Sequence, residues 1–299
     1  MKMKKQIMFK TIYLPKNKGL GNALKVALEN CSNILVARMD SDDISSPDRF
    51  QMQLEYFIKN PKLDIVGGNI TEFVGREEKI TGRRVVPKSD AAIKKGMKRY
   101  CAMNHVTVMY KKDSVQRAGG YLDCPWNEDY YLWVRMMEQK SVFGNIPVDL
   151  VNVRTGELMS ARRGGWKYFK SERFIQKYML DHKLICLPRY FFNIFVRFMG
   201  EIIAPNKIRT LLFRFMRNKY IPVTNKKKVC KVDGTRYPSF SVAMSVYEKD
   251  NEKWLERALE SIVIKQTVKP DEIIMVIDGP ISQKIKNVIE KYNKICKDV

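Results

Sequence analysis

Two carboxylates separated by one residue, Asp40 and Asp42, stand where the apolar segment NILVARM ends and a polar loop begins. Carboxylate oxygens suit hard divalent cations such as Mg²⁺ or Mn²⁺, and a pair at this spacing can hold one cation against a diphosphate. The alternative is an acidic turn that caps the next helix. Ligands of α/β sheets bind beyond the carboxyl ends of strands, so the position after an apolar strand favours a metal site.

A second acidic pair, Glu128 and Asp129, follows a glycine-rich turn and Trp126 and opens a predicted helix. Carboxylates in the first turn of a helix complement its dipole, so a purely structural role is one interpretation. The other interpretation is catalytic, because a carboxylate within hydrogen-bond reach of a hydroxyl can accept its proton. The pair is therefore a candidate general base.

Acidic and aromatic residues also end two later apolar segments: Tyr247 and Glu248 follow FSVAMSV, and Asp278 ends EIIMVID. A ring can pack on a nucleobase while a carboxylate accepts from a ribose hydroxyl or an imide N–H. Ordinary turn chemistry explains Asp278 before Gly-Pro equally well. Asn17 and Gly19 lie in a loop that lacks the GxGxxG and GK[ST] patterns, which disfavours a Rossmann dinucleotide site or a P-loop.

Alternating strands and helices must position these residues. The alternation runs through 1–160 and resumes over 240–299, which predicts an α/β sheet with its chemistry at the strand ends. A helix-forming region rich in Phe, Met, Ile and Arg occupies 161–222, and a basic, turn-rich linker occupies 223–239. Within the first part, the pattern HVTVMYK predicts a strand over 105–111.

The composition excludes several classes of protein. With 299 residues, 45% of them hydrophobic, the chain can bury a real core, and it is neither disordered nor a disulfide-stapled miniprotein. The six cysteines form no CxxC pair and the chain has two histidines, so we expect no structural zinc and a reducing cytosol. We expect neither a secretory signal nor a membrane-spanning helix. A net charge of +23 predicts an anionic partner.

Much of the positive charge is concentrated in the helical region. From Lys183 to Lys228 there are eleven Lys or Arg and one acid, Glu201, which is about +10 of the net +23. Polar residues recur every four positions along an otherwise apolar helix: Arg189, Asn193, Arg197 and Glu201. Such basic amphipathic helices suit the surface of an anionic membrane. The alternative is that the apolar faces pack on the enzyme core, with the arginines in water.

Together these segments resemble glycosyltransferase family 2, the inverting enzymes with a GT-A fold, and in particular the bacterial exopolysaccharide and capsule enzymes of the amylovoran type. The resemblance covers most of 11–160 and 240–299. Its segments are IYLPKNKGLGNALKVAL, NILVARMDSDDISSPDRFQMQLEYF, GGYLDCPWNEDYYLWVRM and FSVAMSVYEKDNEKWLERALESIVIKQTVKPDEIIMVIDGP. It implies a GT-A, Rossmann-like mixed sheet flanked by helices, with the basic amphipathic region added.

One departure concerns chain order. In that family the segments SVYE and DEIIMVIDGP come first, whereas here they lie near the C-terminus. A circular permutation accounts for this order, and permutation is tolerated where a surface connection is cut. The other interpretation is two truncated transferases in tandem. The two parts complement each other with little overlap, which favours one permuted domain.

The resemblance implies a role for each candidate residue. Tyr247, Glu248, Asp278, Asn17, Gly19 and Asp40 match the nucleotide-sugar site. Asp42 and Asp40 match the metal ligands for Mn²⁺ or Mg²⁺, Asp129 matches the general base, and Glu128 lies beside it. His105 could face the acceptor or the metal, although a lone histidine is more often structural. Arg162 and Arg163 could cover the diphosphate with forked donors or belong to the basic surface.

We therefore expect a metal-dependent, inverting hexosyltransferase. It would move a sugar, by family analogy from a UDP-sugar, to a saccharide or polyprenyl-diphosphate-linked acceptor in surface polysaccharide synthesis. We expect it on the cytoplasmic face of the cell membrane, bound to an anionic surface. The rival interpretations are an inactive transferase-like scaffold and a nucleic-acid-binding protein. The second is disfavoured because the chain has no RNP-like, helix-turn-helix or zinc-finger signature.

Overall fold

A single mixed β-sheet organises the chain. The structure is a computed structural model and describes residues 6–156, 165–204 and 237–298. The sheet has nine strands in the described residues: β1 Met8–Leu14, β2 Leu35–Arg38, β3 Ile44–Ser45, β4 Ile65–Phe73, β5 Ile80–Arg84, β6 Met109–Lys111, β7 Phe143–Arg154, β8 Phe240–Val246 and β9 Glu272–Asp278.

The strand order brings both parts of the chain into the same sheet. The order is β1-β9-β8-β2-β6-β4-β7-β3, with β5 paired to β4. The neighbours β1, β9, β8 and β2 are all parallel, whereas β6 runs antiparallel to β2 and β4. The last two strands of the sequence therefore lie between the first two. Near the chain ends, the Ile7 backbone N–H donates to the Cys296 carbonyl oxygen over 3.0 Å.

Helices cover both faces of the sheet. Those in the described residues are α1 Leu20–Asn30, α2 Arg49–Lys59, α3 Asp90–Met97, α4 Lys112–Arg117, α5 Glu128–Glu138, α6 Trp166–Asp181, α7 Leu187–Phe198, α8 Glu252–Leu259 and α9 Gln283–Asp298. One π-helical turn, Met199–Ile203, continues α7, and another, Glu260–Ile264, continues α8. Among the described residues, no helix is both long and apolar enough to cross a membrane.

Strand β9 shows why two cores form. Its side chains alternate between the two faces of the sheet, as they must in a β-strand. Ile273 and Ile277 pack in the core shared with α2, α8 and α9, whereas Ile274 and Val276 pack in the core shared with α1, α3 and α5. All four side chains are fully buried, which explains why the segment reads as a continuous apolar run.

The helical region packs on the sheet domain through α5. Tyr130 and Val134 of α5 form a small apolar core with Ile175 and Met179 of α6. Helix α7 then packs along α6, antiparallel neighbours being the usual result of a short connection. This core ties α6 and α7 to the helix that begins with Glu128.

Local structure departs from the sequence expectation in two places. The predicted strand over 105–111 is wrong in its first half: His105–Thr107 is a 3₁₀ turn and the strand is confined to Met109–Lys111. The turn forms because Thr107 bonds back to the Asn104 carbonyl oxygen through its hydroxyl, over 2.7 Å. The long strand β7 has no counterpart in the predicted elements. Most of the predicted linker, 223–239, lies outside the described residues.

Candidate active site

The carboxyl ends of four parallel strands meet at one edge of the sheet. The register pairs Leu14 of β1 with Asp278 of β9, and Ile277 of β9 with Val246 of β8. Arg38, the last residue of β2, pairs with Ala243 of β8. The loops that follow these strands therefore lie side by side. They carry the Asn17 loop, Asp278, the Tyr247 turn and the acidic segment after Arg38, so the edge is the expected position of a ligand site.

Three carboxylates form the centre of this edge. Ligand oxygens of Asp40, Asp42 and Asp43 lie within 4.8 Å of one another. Arg38, a buried residue at the end of β2, forms a two-point ion pair with Asp40. The Asp43 carboxylate accepts a hydrogen bond from the Arg154 backbone N–H at 2.8 Å. The cluster is thus held in place from two sides.

The carboxylates of the cluster repel one another. Burial, followed by the charges of Asp40 and Asp250, raises the pKa of Asp42 to about 6. Burial and the charges of Asp40 and Asp42 also raise the pKa of Asp43 well above its ordinary value. A hard divalent cation relieves such repulsion and takes oxygen ligands, so these residues fit Mg²⁺ or Mn²⁺. Arg38 already pairs with Asp40, which leaves Asp42 the better placed ligand.

Asp250 lies beside this cluster, and sequence reasoning missed it. Its carboxylate accepts from the Ser41 hydroxyl at 2.9 Å and from the Tyr247 backbone N–H at 3.1 Å. Burial raises its pKa to about 6, although both hydrogen bonds act in the opposite direction. It thus links the Tyr247 turn to the acidic loop. The available signal was an acid in the loop after β8, at the same sheet edge as Asp40.

Arg154 clamps the acidic loop from the other side. Besides its backbone bond to Asp43, its side chain donates to the Asp42 carbonyl oxygen over 3.3 Å. The guanidinium lies between two rings, 4.6 Å from the centre of Phe73 and 4.5 Å from the centre of Trp254. This stacking restrains the side chain. No sequence signal pointed to Arg154, because its strand β7 was not predicted.

The loop at Asn17 and Gly19 is bonded to the turn at Asp278. The Asp278 carboxylate accepts from the backbone N–H groups of Lys18 and Gly19 at 2.9 and 3.0 Å. Gly279 has φ +92°, and a Cβ there would lie 2.8 Å from the Asn17 nitrogen. Glycine is needed for this close approach. The structure thus brings three predicted nucleotide-site residues together, with Asp278 organising the loop.

The remaining predicted nucleotide-site residues lie on the neighbouring turn. Tyr247 is half-buried and Glu248 is exposed, one residue apart after β8. Their roles toward a nucleotide stay predictions. Arg162 and Arg163 lie outside the described residues.

Glu128 and Asp129 lie in the first turn of α5, and Glu128 is close enough to Arg38 and Asp40 for both charges to act on it. A Cβ on Gly21, in the first turn of α1, would lie 3.4 Å from the Glu128 Cβ, so the first turns of α1 and α5 are in close contact. Burial, then the charge of Asp129, raises the pKa of Glu128 to about 7, and Asp40 adds to the effect. Asp129 lies with one oxygen 3.8 Å from the Cys101 sulfur.

His105 is packed between aromatic rings near this pair. Its Nε2 is 2.9 Å from the Tyr121 hydroxyl, and its ring meets Trp133 edge to face at 5.8 Å between centroids. Burial, with a smaller contribution from Arg38, lowers the pKa of His105 well below its ordinary value. The neutral ring in this position holds the Tyr121 hydroxyl through a hydrogen bond and packs against Trp133. A role toward acceptor or metal stays a prediction.

The site thus combines an acidic cluster, the adjoining loops at the strand ends and a pair of carboxylates at the start of a helix. The oxygen-rich cluster can hold a cation and a diphosphate, and the α5 pair can accept a proton. These are the components of a transfer reaction from a phosphorylated donor to a hydroxyl.

Comparison with known proteins agrees with this chemistry. The model of the family described as "Glycosyl transferase family 2" matches residues 2–117. An uncharacterized glycosyltransferase of Haemophilus influenzae is 36% identical over 208 residues, 70% of this chain and 77% of that protein. The amylovoran biosynthesis glycosyltransferase AmsE of Erwinia amylovora is 35% identical over 200 residues, 67% of this chain and 74% of that protein.

A third relative has a more specific name. The UDP-Gal:alpha-D-GlcNAc-diphosphoundecaprenol beta-1,3-galactosyltransferase of Escherichia coli is 31% identical over 212 residues, 71% of this chain and 76% of that protein. These matches extend over most of the chain. The chain is a glycosyltransferase and belongs to glycosyltransferase family 2.

Proposed function

We propose that this glycosyltransferase moves a hexose from a nucleotide-sugar, most simply a UDP-sugar, to a hydroxyl of a saccharide or polyprenyl-diphosphate-linked saccharide, with inversion. The observation that carries the proposal is the convergence of the acidic cluster and the α5 carboxylates at one sheet edge. The names of relatives support the substrate class: one is named for UDP-Gal and a diphosphoundecaprenol acceptor, another for amylovoran biosynthesis. The reaction would then serve surface polysaccharide assembly at the cytoplasmic face of a membrane.

The proposed step is one in-line displacement. The acceptor hydroxyl oxygen forms a bond to the anomeric carbon while the bond from that carbon to the diphosphate oxygen breaks. The hydroxyl proton passes to a carboxylate of the α5 pair, Asp129 by resemblance to the family, with Glu128 beside it. A divalent cation held by Asp42 and Asp40 would neutralise charge on the leaving nucleoside diphosphate. No covalent enzyme intermediate is needed.

The chain residues have separate tasks in this step. Arg38 and Arg154 hold the acidic loop, so that its carboxylates keep their spacing. The Asn17 loop and the Tyr247 turn would flank the nucleotide. A pKa of about 7 gives Glu128 a proton affinity near neutral pH, the range in which a carboxylate exchanges protons efficiently.

Circular permutation is part of the proposal. It is supported by the position of β8 and β9 between β1 and β2, and by the bond between Ile7 and Cys296. A helix that ends beside the start of β1 could be continued directly into that strand. This is the arrangement expected if the family's first segments had been moved to the end of the sequence.

The test is a thermal-shift titration with UDP, GDP and TDP, each with and without Mn²⁺. A ligand at 100 times its dissociation constant adds about 2.7 kcal/mol to stability. We expect a shift that requires both one nucleotide and Mn²⁺, that disappears in Asp42→Asn, and that persists in Asp113→Asn, an exposed control on α4. Absence of any shift in the wild type would contradict the proposal and favour an inactive scaffold.

A second pair of variants separates donor binding from proton transfer. Asp129→Asn and Glu128→Gln should keep the shift with nucleotide and Mn²⁺, because neither residue is proposed to bind the diphosphate. Transfer to an acceptor should fall by about 100-fold or more in the variant that removes the base. Full transfer in both variants would refute the assignment of the base to this pair.

A further inference from the structure

Helix α7 packs with its polar side toward the protein, the reverse of an ordinary surface helix. Its polar side chains face the protein: the Asn193 amide donates to the Lys98 carbonyl oxygen at 2.8 Å and to Gln176 at 2.7 Å. Arg197 forms an ion pair with Glu172 at 2.8 Å, and only 12% and 6% of these two side chains are exposed. The periodic polar stripe in the sequence is therefore an internal contact surface.

The opposite side of α7 and its π turn is apolar and exposed. We call it the outer face; its side chains are between 41% and 63% exposed. They are Leu187, Phe191, Phe192, Phe195, Val196, Met199 and Ile203. In a soluble protein the apolar side of a surface helix normally faces the core. A contiguous exposed patch of this kind, at the end of the described helical region, indicates an interaction surface.

The charge around the outer face selects the partner. Among the described residues, exposed Lys98 and Arg99 lie beside α7, where their carbonyl oxygens accept hydrogen bonds from Asn193 and Arg197. Arg189 lies on α7 itself, with its guanidinium 6.0 Å from the centre of the Phe192 ring. Glu201 lies 3.5 Å from Arg197, with its side chain largely buried, so its charge is directed inward. The partner must therefore accept Phe side chains and attract positive charge. A second copy of this chain would bring these basic residues close to their own copies, which is unfavourable.

We propose that the outer face of α7 lies in the headgroup boundary of an anionic lipid bilayer, parallel to the membrane plane. Such a surface is apolar below and negative above, and so matches both properties of the segment. The outer face is connected to the candidate active site, because α6 packs on α7 and also on α5, the helix that begins with Glu128. The proposal concerns binding alone and does not depend on the transfer reaction.

The experiment is co-sedimentation of the full chain with lipid vesicles, with no nucleotide or metal added. One set contains phosphatidylcholine with about one-third phosphatidylglycerol, and the other contains phosphatidylcholine alone. We expect binding to the anionic vesicles that weakens with salt. The double variant Phe191→Ser, Phe195→Ser should bind at least about 10-fold more weakly, since burial of each Phe contributes substantially. The control is Ile34→Ser, which changes an apolar residue that is 69% exposed and lies just before β2, outside α7.

Three results of the binding experiments would overturn the proposal. They are absence of wild-type binding to anionic vesicles, equal binding by the double variant, and concentration-dependent dimers that the double variant abolishes. A lower melting temperature of the double variant without vesicles would also overturn it, because the outer face would then be covered within the protein. Failure of the transferase proposal would leave all these readouts unchanged.

Discussion

Replacing Glu128 by Gln should stabilise the protein at neutral and alkaline pH while it impairs transfer. In the folded state the pKa of Glu128 is about 7 against an ordinary 4.5, because the carboxylate is buried beside Asp129. The difference, about 7 minus 4.5, corresponds to about 3 kcal/mol at 1.36 kcal/mol per pK unit. Glutamine resembles the protonated form and carries none of this penalty.

The sign follows from proton linkage. The folded state binds this proton more tightly than the unfolded state, so stability falls as the pH rises from about 4.5 to about 7. Well above pH 7 the wild type bears the whole penalty. The variant should therefore be more stable than the wild type by up to about 3 kcal/mol at about pH 8, and nearly equal to it near pH 4.

The assay is urea unfolding at several pH values in EDTA, so that no cation binds the neighbouring acidic cluster. Glu29→Gln, at an exposed position of α1, is the matched control and should change stability little. A Glu128→Gln protein that is less stable than wild type at about pH 8 would refute the reasoning. So would a stability difference that does not change with pH.

Three further predictions concern packing and protonation. Arg197→Met should lower the unfolding free energy by about 3 kcal/mol in urea titration because it leaves Glu172 buried without its partner, whereas Arg189→Met should have little effect. Gly279→Ala should cost about 2 kcal/mol or more, since it combines a positive φ with a contact to backbone, while Gly120→Ala, at positive φ in open space, should cost less. The ring of His105 should show no titration by NMR from about pH 5.5 to about pH 8, and a midpoint inside that range would contradict its burial.

The sheet edge that carries the site was predictable because it depends on residues at or just after the ends of strands. Asp40 follows the apolar strand β2 and Asp278 ends the apolar strand β9, and parallel strands bring their carboxyl ends to one edge. Asp250 and Arg154 were not predictable in the same way. Asp250 acquires its role through a hydrogen bond to Ser41, 209 positions away in sequence. Arg154 depends on β7, whose residues do not alternate regularly between apolar and polar.

The direction of α7 could not be predicted from its pattern. Periodicity indicates that the helix has two unlike sides, but not which side meets the protein. The tertiary contact decided this, because Glu172 and Gln176 of α6 offer buried polar partners to Arg197 and Asn193. The packing alternative, with the apolar side inward and the arginines in water, does not describe Arg197.

The position of β8 and β9 in the middle of the sheet has a consequence during synthesis. The groups that join the two parts are far apart along the chain: Lys18 and Asp278 are separated by 260 residues. Until the ribosome has made β9, β1 lacks its only partner among the described strands, and β2 lacks its partner on the β8 side. Unpaired strand edges promote aggregation, and distant contacts slow folding. The nascent chain should therefore depend on chaperones for most of its translation, more than a relative whose central strands emerge first.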